Sequence, residues 1–507
     1  MGMRARSMMP LWASVMMLTA PQTLLPAAVL AQEGYRINGI AAPQVRADPL
    51  AAQLQSQLSN LQSTLRQRAQ SANLQQALET GLLNNPQLAS AYAQIQGSQW
   101  NLIAVRRQWY PSLSASSNPY LLGQNANTSS VSGAGTANTT YSNATGAGVG
   151  LNLNWTFFNP SRGPSINAAS ESLRQQQLLF DVSARNLVLE IQQAYFNLQE
   201  QQLLIQAYEE ILAGTTRQVQ LTEAQFNNGL VSIADVEQIR TQQFATQSTV
   251  INAYRQLIDA AARLAQTMAL APGVLVLPSE ELSPLGQWDE PLQSTINQAL
   301  SLREEIQASL AAAASASWNA TALFNRYWPQ FSLGSSGGYA GVNRTRGLPG
   351  NSFSNNERSL SWDAAVGIGF SWQLFDGGIA AAQAEAQRAA ALQAQDQAAL
   401  RRLSVSREVE QSYADYLTSR LALQSTQAQA ASARAAAQAV QERFAVGVTG
   451  MVDVVQTLNQ AINAANAYAN AVRTYNSAVA ALYRSSARWP EGTKPLLLQR
   501  VNGLRAR

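Results

Sequence analysis

The 507-residue chain contains no cysteine and no histidine. Those absences exclude disulfide scaffolds, thiolate and imidazole metal sites, and Ser-His-Asp or Cys-His catalysis. Charge is scarce too, at 13% of residues, about half the usual share of ~25%. Lysine occurs once, at Lys494, so the basic residues are otherwise all arginine. The formal net charge of +4 is small and no basic stripe stands out, so nucleic acid is not an expected partner. There is no P-loop pattern, and Lys, Ser, Tyr and carboxylates form no compact constellation. An enzyme is therefore not expected, and nothing calls for a cofactor. What fills the chain is alanine, glutamine, serine and asparagine, with 46% hydrophobic residues and a mean hydropathy of −0.14. That composition suits long, weakly charged helices.

Residues 1–31 read as a secretory signal peptide. Arg4 and Arg6 form a positive start, Leu11 to Ala20 an apolar core, and Val29-Leu30-Ala31 a small-residue cleavage site. A membrane anchor is the alternative, but Pro21 and Pro26 interrupt the run short of the ~20 residues that a spanning helix needs. No cysteine follows to carry a lipid. No later stretch reaches ~18 apolar residues, so a membrane crossing after export has to use β-strands.

The chain repeats itself at an offset of 217 or 218 positions. Leu74, Leu78 and Leu82 match Leu292, Ile296 and Leu300, and Pro111 matches Pro329. Trp155 and Phe158 match Trp372 and Phe375; Glu190 and Tyr195 match Glu408 and Tyr413; Phe226, Gly229 and Asp235 match Phe444, Gly447 and Asp453. The repeats are placed at 74–270 and 292–487. An N-terminal segment at 32–73 precedes them, a Pro- and Gly-rich connector at 271–291 joins them, and a surface-lying tail at 488–507 follows. Within 32–73, residues 32–70, rich in Gln, Leu and Ser, leave open the choice between an extra helix and a mobile segment.

Each repeat has one plan: a helix of about 30 residues leading to a proline, two strands around a polar loop, a very long helix, a tight turn and a returning helix. The strands alternate. Val149, Leu151, Leu153, Trp155 and Phe157 share one face, as do Leu360, Trp362, Ala364, Val366, Ile368, Phe370, Trp372 and Leu374. Their length suits tilted membrane strands. Trp109, Tyr110, Phe157, Phe158, Tyr327, Trp328, Trp372 and Phe375 gather where strand meets helix, as an interfacial aromatic girdle does. Segments 121–146 and 341–359, rich in Asn, Ser, Thr and Gly, are expected as outward loops. An ordinary sandwich with one wet face remains the alternative for the strands alone.

From Pro164 to Phe226 Gly214 is the lone glycine and no further proline occurs; from Ile379 to Val446 there is neither. At 1.5 Å per residue each helix runs about 95–100 Å, and such helices need side-by-side packing. Leu187, Ile191, Ala194, Leu198, Ile205, Tyr208 and Leu212 give the packing face of the first. Pro164 suits its first turn, and Asp376 is a candidate N-cap for the second. Four spanning strands leave two edges unpaired in lipid, so closure needs further copies. Two copies give a filled barrel and three give a lumen.

These features resemble the TolC-like outer membrane efflux proteins. The resemblance rests on Asn85-Pro86-Gln87-Leu88, Trp109-Tyr110-Pro111-Ser112-Leu113, the Leu-Phe-Asp-Gly-Gly run at 374–378 and the two tips around Gly229 and Gly447, and it covers about residues 74–487. It implies a mainly α fold with a membrane β-barrel: a homotrimer with a 12-stranded barrel in outer membrane lipid and an α-helical tunnel through the periplasm. It also implies export, with a periplasmic adaptor and an inner-membrane efflux pump or ABC transporter as partners. A structural coiled coil and a trimeric adhesin-like envelope protein are the other classes. The first requires no alternating strands, and the second needs one C-terminal strand set rather than two internal ones.

At the tips, glycine ends one helix through positive φ and aspartate opens the next, where its charge is favourable. That structural role suffices for Asp235 and Asp453. By resemblance, Asp453 also lines a closed periplasmic gate and Asp235 belongs to the network holding it shut. Phe444, Thr449 and Gln456 stand at gate positions where the family can have Tyr, Arg and an acidic residue, so an ion pair and a ring of charge are missing here. Phe226, Gly229, Leu230, Val231 and Ser232, with Gly447, Val448 and Thr449, form the expected adaptor-docking tips; a plain αα-hairpin turn is the alternative.

Overall fold

The computed structural model of the chain describes residues 49–120, 126–131, 137–347 and 354–505. The expected leader lies outside them. In chain order the elements are α1 (Pro49–Arg68), β1 (Ala69–Ala72), α2 (Leu74–Asn84), α3 (Pro86–Arg107), β2 (Ser112–Tyr120), β3 (Ala126–Val131), β4 (Ala137–Phe158), α4 (Arg162–Asn227) and α5 (Ile233–Thr267). Then come β5 (Leu275–Pro278), α6 (Leu292–Leu302), α7 (Glu304–Phe324), a 3-10 turn (Asn325–Tyr327), β6 (Gln330–Gly347), β7 (Ser354–Ser371), α8 (Ile379–Ala445), α9 (Met451–Ser485) and α10 (Thr493–Arg505).

The long helices follow their lack of breakers: α4 has 66 residues and α8 has 67, each about 100 Å. Leu187, Ile191, Leu198, Ile205 and Tyr208 are buried on α4 as their spacing requires. Asp376 does cap α8, from two residues before the N-cap position: its carboxylate accepts from the amides of Gly378, Ile379 and Ala380 at 2.8–3.1 Å. Tyr327 donates to the same carboxylate at 2.7 Å.

Three expectations need correction. The single 30-residue helix opening each repeat is two helices, broken at Asn85 and at Arg303. Of the loops expected at 121–146 and 341–359, the described residues are strand, because the antiparallel ladder continues through their polar residues, pairing Ala126–Val131 with Ser142–Ala137 and Tyr141–Gly146 with Gly347–Val342; positions 121–125, 132–136 and 348–353 lie outside the described residues. β7 stops at Ser371, so Trp372 and Leu374 lie beyond it. The open segment before the first repeat contains α1 and β1, and β1 pairs in parallel with β5. The tail folds as α10, which packs on α2 and α3 and buries Leu497 and Leu504.

The sheet order is β2-β4-β6-β7, with β3 beside the outer end of β4 on the flank that carries β2. Two edges stay open, β2/β3 and β7. One face carries Leu113, Val149, Leu151, Trp155, Tyr339, Leu360, Trp362, Val366, Ile368 and Phe370, all exposed. The register places Gly, Ser, Asn and Ala on most of the other face. That division is what a barrel wall between lipid and water requires.

Candidate functional site

The helices continue the order of the strands. Nearer the sheet, α3 packs on α4, α4 on α7 and α7 on α8; nearer the tips, α5 packs on α4, α4 on α9 and α9 on α8. So α8 is one flank throughout, with α3 and then α5 as the other. Because β7 runs into α8 and α3 runs into β2, each protomer has two unbroken flanks from barrel to tip.

The α8 flank carries an exposed apolar stripe. Leu392, Leu400, Leu403, Leu417 and Leu421 are exposed at spacings that put them on one side of the helix. At the sheet's base the girdle residues are fixed the same way in both repeats. The Trp155 indole donates to the Trp109 carbonyl and the Trp372 indole to the Tyr327 carbonyl, both at 2.8 Å.

At mid-height a belt of ion pairs ties the repeats together. Buried Arg303 binds Glu305 at 3.0 Å, Glu408 at 2.8 Å and the Ser485 carbonyl at 3.2 Å. Arg484 reaches Glu305 at 2.6 Å, and Arg185 reaches Glu304 at 2.8 Å. Burial alone would push the Glu305 carboxyl up, but Arg484 and Arg303 more than offset it and hold it below its ordinary value. In the first repeat Asn85 takes the place of Arg303 and donates to the Thr267 carbonyl at 2.9 Å. Sequence reasoning missed this belt, although the offset that pairs Glu190 with Glu408 also pairs Asn85 with Arg303.

The two tips share a turn but differ in their caps. Gly229 has φ +74° and Gly447 φ +76°. The Leu230 amide donates to the Gln225 carbonyl and the Val448 amide to the Arg443 carbonyl, both at 2.9 Å, closing a Schellman motif at each helix end. In the first tip Ser232 and Asp235 form a reciprocal capping box. In the second, Gly450 stands at the N-cap without a side chain to offer, and Asp453 accepts instead from the Thr449 hydroxyl at 2.7 Å. Asp453 and Gln456 are exposed, and Asp235 is half-buried.

Phe444 is buried, with 4% of its surface exposed. It packs with Val219, Ile239, Met451, Val454 and Leu458, and half-buried Val231 lies against the same cluster. Phe226 is half-buried. Leu230 is 72% exposed, and Val448 is exposed as well. Ile233, Val446 and Val452 add to this apolar tip surface; the sequence reading had not included them, although they flank the glycine turns. No helix among the described residues is long and apolar enough to cross a membrane.

Comparison with known proteins agrees with this geometry. The family model described as outer membrane efflux protein matches residues 77–270 and 295–488. Outer membrane protein TolC of Escherichia coli (strain K12) is 25% identical over 417 residues, 80% of each chain. The Campylobacter jejuni CmeC outer membrane channel shares the fold with a TM-score of 0.68 at 18% identity, covering 85% of this chain and 89% of that one. The outer membrane protein VceC of Vibrio cholerae aligns with a TM-score of 0.63 at 17% identity, covering 83% and 98%. With its two matched repeats spanning most of its length, the chain belongs to the outer membrane efflux protein family.

Proposed function

We propose that three copies of the chain form an exit duct that carries small molecules or proteins across the outer membrane from a helical tunnel in the periplasm. Family membership gives the outer membrane location and the general export role. The observation that supports the rest is the pair of flanks. An open sheet edge is untenable in lipid, and here each open edge continues into the helices at one flank of the protomer. Copies arranged head to tail around an axis satisfy both at once. Four strands per copy then give twelve, enough to enclose a lumen.

The tunnel would narrow at the tips, where Asp453 stands exposed. Three such carboxylates around one axis favour cations and repel anions. A neutral Thr449 hydroxyl holds Asp453, so closure would depend less on ion pairing than where an arginine fills that place. The exposed apolar tip suits end-on docking of a periplasmic adaptor, and through it an inner-membrane efflux pump or ABC transporter.

Planar-bilayer recording tests the duct: purified protein is expected to conduct as trimers, and trimers without conductance would overturn the reading. Asp453→Ala is expected to alter conductance and relieve block by multivalent cations; unchanged conductance, selectivity and block would remove Asp453 from the gate. A bulky residue at Gly229 or Gly447 is expected to abolish export while trimers persist. Unchanged export would argue against docking there.

A further inference from the structure

Glu190 on α4 and Glu408 on α8 hold equivalent places in the two repeats, but their surroundings differ. Glu408 has Arg303 at 2.8 Å. Where the second repeat has Arg303 the first has Asn85, whose amide is spent on the Thr267 carbonyl. Glu190 is exposed and has no ion pair or hydrogen bond among the described residues. It lines a cavity of about 760 Å³ on the α3/α5 flank, together with Asn85, Asp259, Arg263 and Gln266. Asp259 is already paired with Arg255 at 3.3 Å.

The opposite flank offers the missing charge. On α8 the exposed stripe of Leu392, Leu400, Leu403, Leu417 and Leu421 is interrupted by Arg407 and Glu410, both exposed and both without a polar partner among the described residues. A charged residue inside an apolar seam is costly to bury unless a counter-charge meets it. Depth agrees as well. Glu190 lies 28 residues past Arg162 at the head of α4, and Arg407 lies 28 residues past Ile379 at the head of α8. Both are therefore about 42 Å below the barrel. Rotation about a common axis preserves height, so the two meet when flanks close.

We infer that Arg407 of each protomer enters this cavity and pairs with Glu190 of the partner subunit, supplying between copies the arginine that Arg303 supplies within the chain. Glu410 carries the charge complementary to Arg263 in the same cavity. The pair fixes the vertical register of α8 against the neighbouring flank, which leucines alone would leave free to slide. This inference rests on the trimeric reading above.

The chain has no cysteine, so introduced thiols react alone. Glu190→Cys with Arg407→Cys, treated in membranes with a short bis-maleimide, is expected to give covalent dimers and trimers after denaturation, and neither single variant should. A linker is needed because an Arg–Glu contact holds the Cβ atoms further apart than a disulfide allows. Charge reversal gives a second measure. Glu190→Arg and Arg407→Glu should each lower the temperature at which the trimer band is lost from unheated gels, and the double reversal should restore it. Trimers that neither cross-link nor recover in the double reversal would overturn the pairing and leave the channel reading intact. A wild-type protein that never trimerises would overturn the channel reading itself.

Discussion

Asp181 on α4 sits beside the ion-pair belt without a hydrogen bond to it. Burial, and after it the Glu304 charge, push its carboxyl up to about 6, against the opposing pull of Arg185 and Lys494. A carboxyl raised in the folded state favours that state when protonated, so its penalty is absent below pH ~4, grows up to about pH 6 and is complete above that. Asp181→Asn is therefore expected to raise the melting temperature at pH 8 and to change little at pH 4. The gain is at most about 1–2 kcal/mol once solvent screening is allowed for. Equal effects at both pH values in a thermal melt would refute this. Phe444→Ala is expected to cost about 3–5 kcal/mol, read as faster hydrogen exchange throughout the tips. Gly447→Ala should cost about 1 kcal/mol, from backbone strain alone, since a Cβ there meets nothing within 4 Å. The tip turns were legible because glycine and aspartate act within a few residues of themselves. The burial of Phe444 was not, because its partners Val219 and Ile239 come from the other repeat.

At the scale of elements, the two helix breaks do the same job by different means. Asn85 and Arg303 both tie the opening helix pair to the end of the returning helix, through Thr267 and Ser485. Arg303 also neutralises Glu305 and Glu408. Arg303→Ala leaves Glu408 without its partner and Glu305 with Arg484 alone, removes the tie to Ser485, and is expected to cost about 3 kcal/mol. Asn85→Ala loses a helix cap and one hydrogen bond, about 1–2 kcal/mol. Chemical denaturation of the two variants checks the order, and an Asn85→Ala cost equal to that of Arg303→Ala would contradict it. The first break was signalled by Pro86, a residue that starts helices at their first position. The second has no proline and relies on Glu304 and Glu305 in the first turn of α7, a quieter signal that the sequence reading passed over. Long helices were legible from the absence of Pro and Gly. The outer strands were not, since Ser, Thr and Asn compose loops and polar strands alike and only the partner strand's register decides between them.

For the whole molecule, the division of the sheet into lipid and lumen faces carries the assembly, and two neighbouring residues test it. Ile368 and Gly367 are adjacent on the open edge strand β7, and the register puts Ile368 beside Leu333 and Gly367 beside Gly334. Ile368 therefore belongs to the apolar face and Gly367 to the face of small residues. A Cβ at Gly367 would meet nothing within 4 Å, so a longer side chain there extends freely into the lumen. A lysine on the lipid face costs about 2–4 kcal/mol near the membrane midplane, and three copies incur it together. Ile368→Lys is expected to deplete assembled trimers from the outer membrane, whereas Gly367→Lys is expected to assemble normally and to lower the conductance for cations. Membrane fractionation with unheated gel mobility reads the first outcome and bilayer recording the second. The alternation along β7 made the two faces legible in advance. Which edge meets which neighbour was not, because that depends on β7 and α8 forming one continuous flank, a relation that appears only when strand order and helix order are seen together. If Ile368→Lys assembled as well as Gly367→Lys, the apolar face would not be facing lipid, and the closure of three sheets into one wall would lose its physical reason.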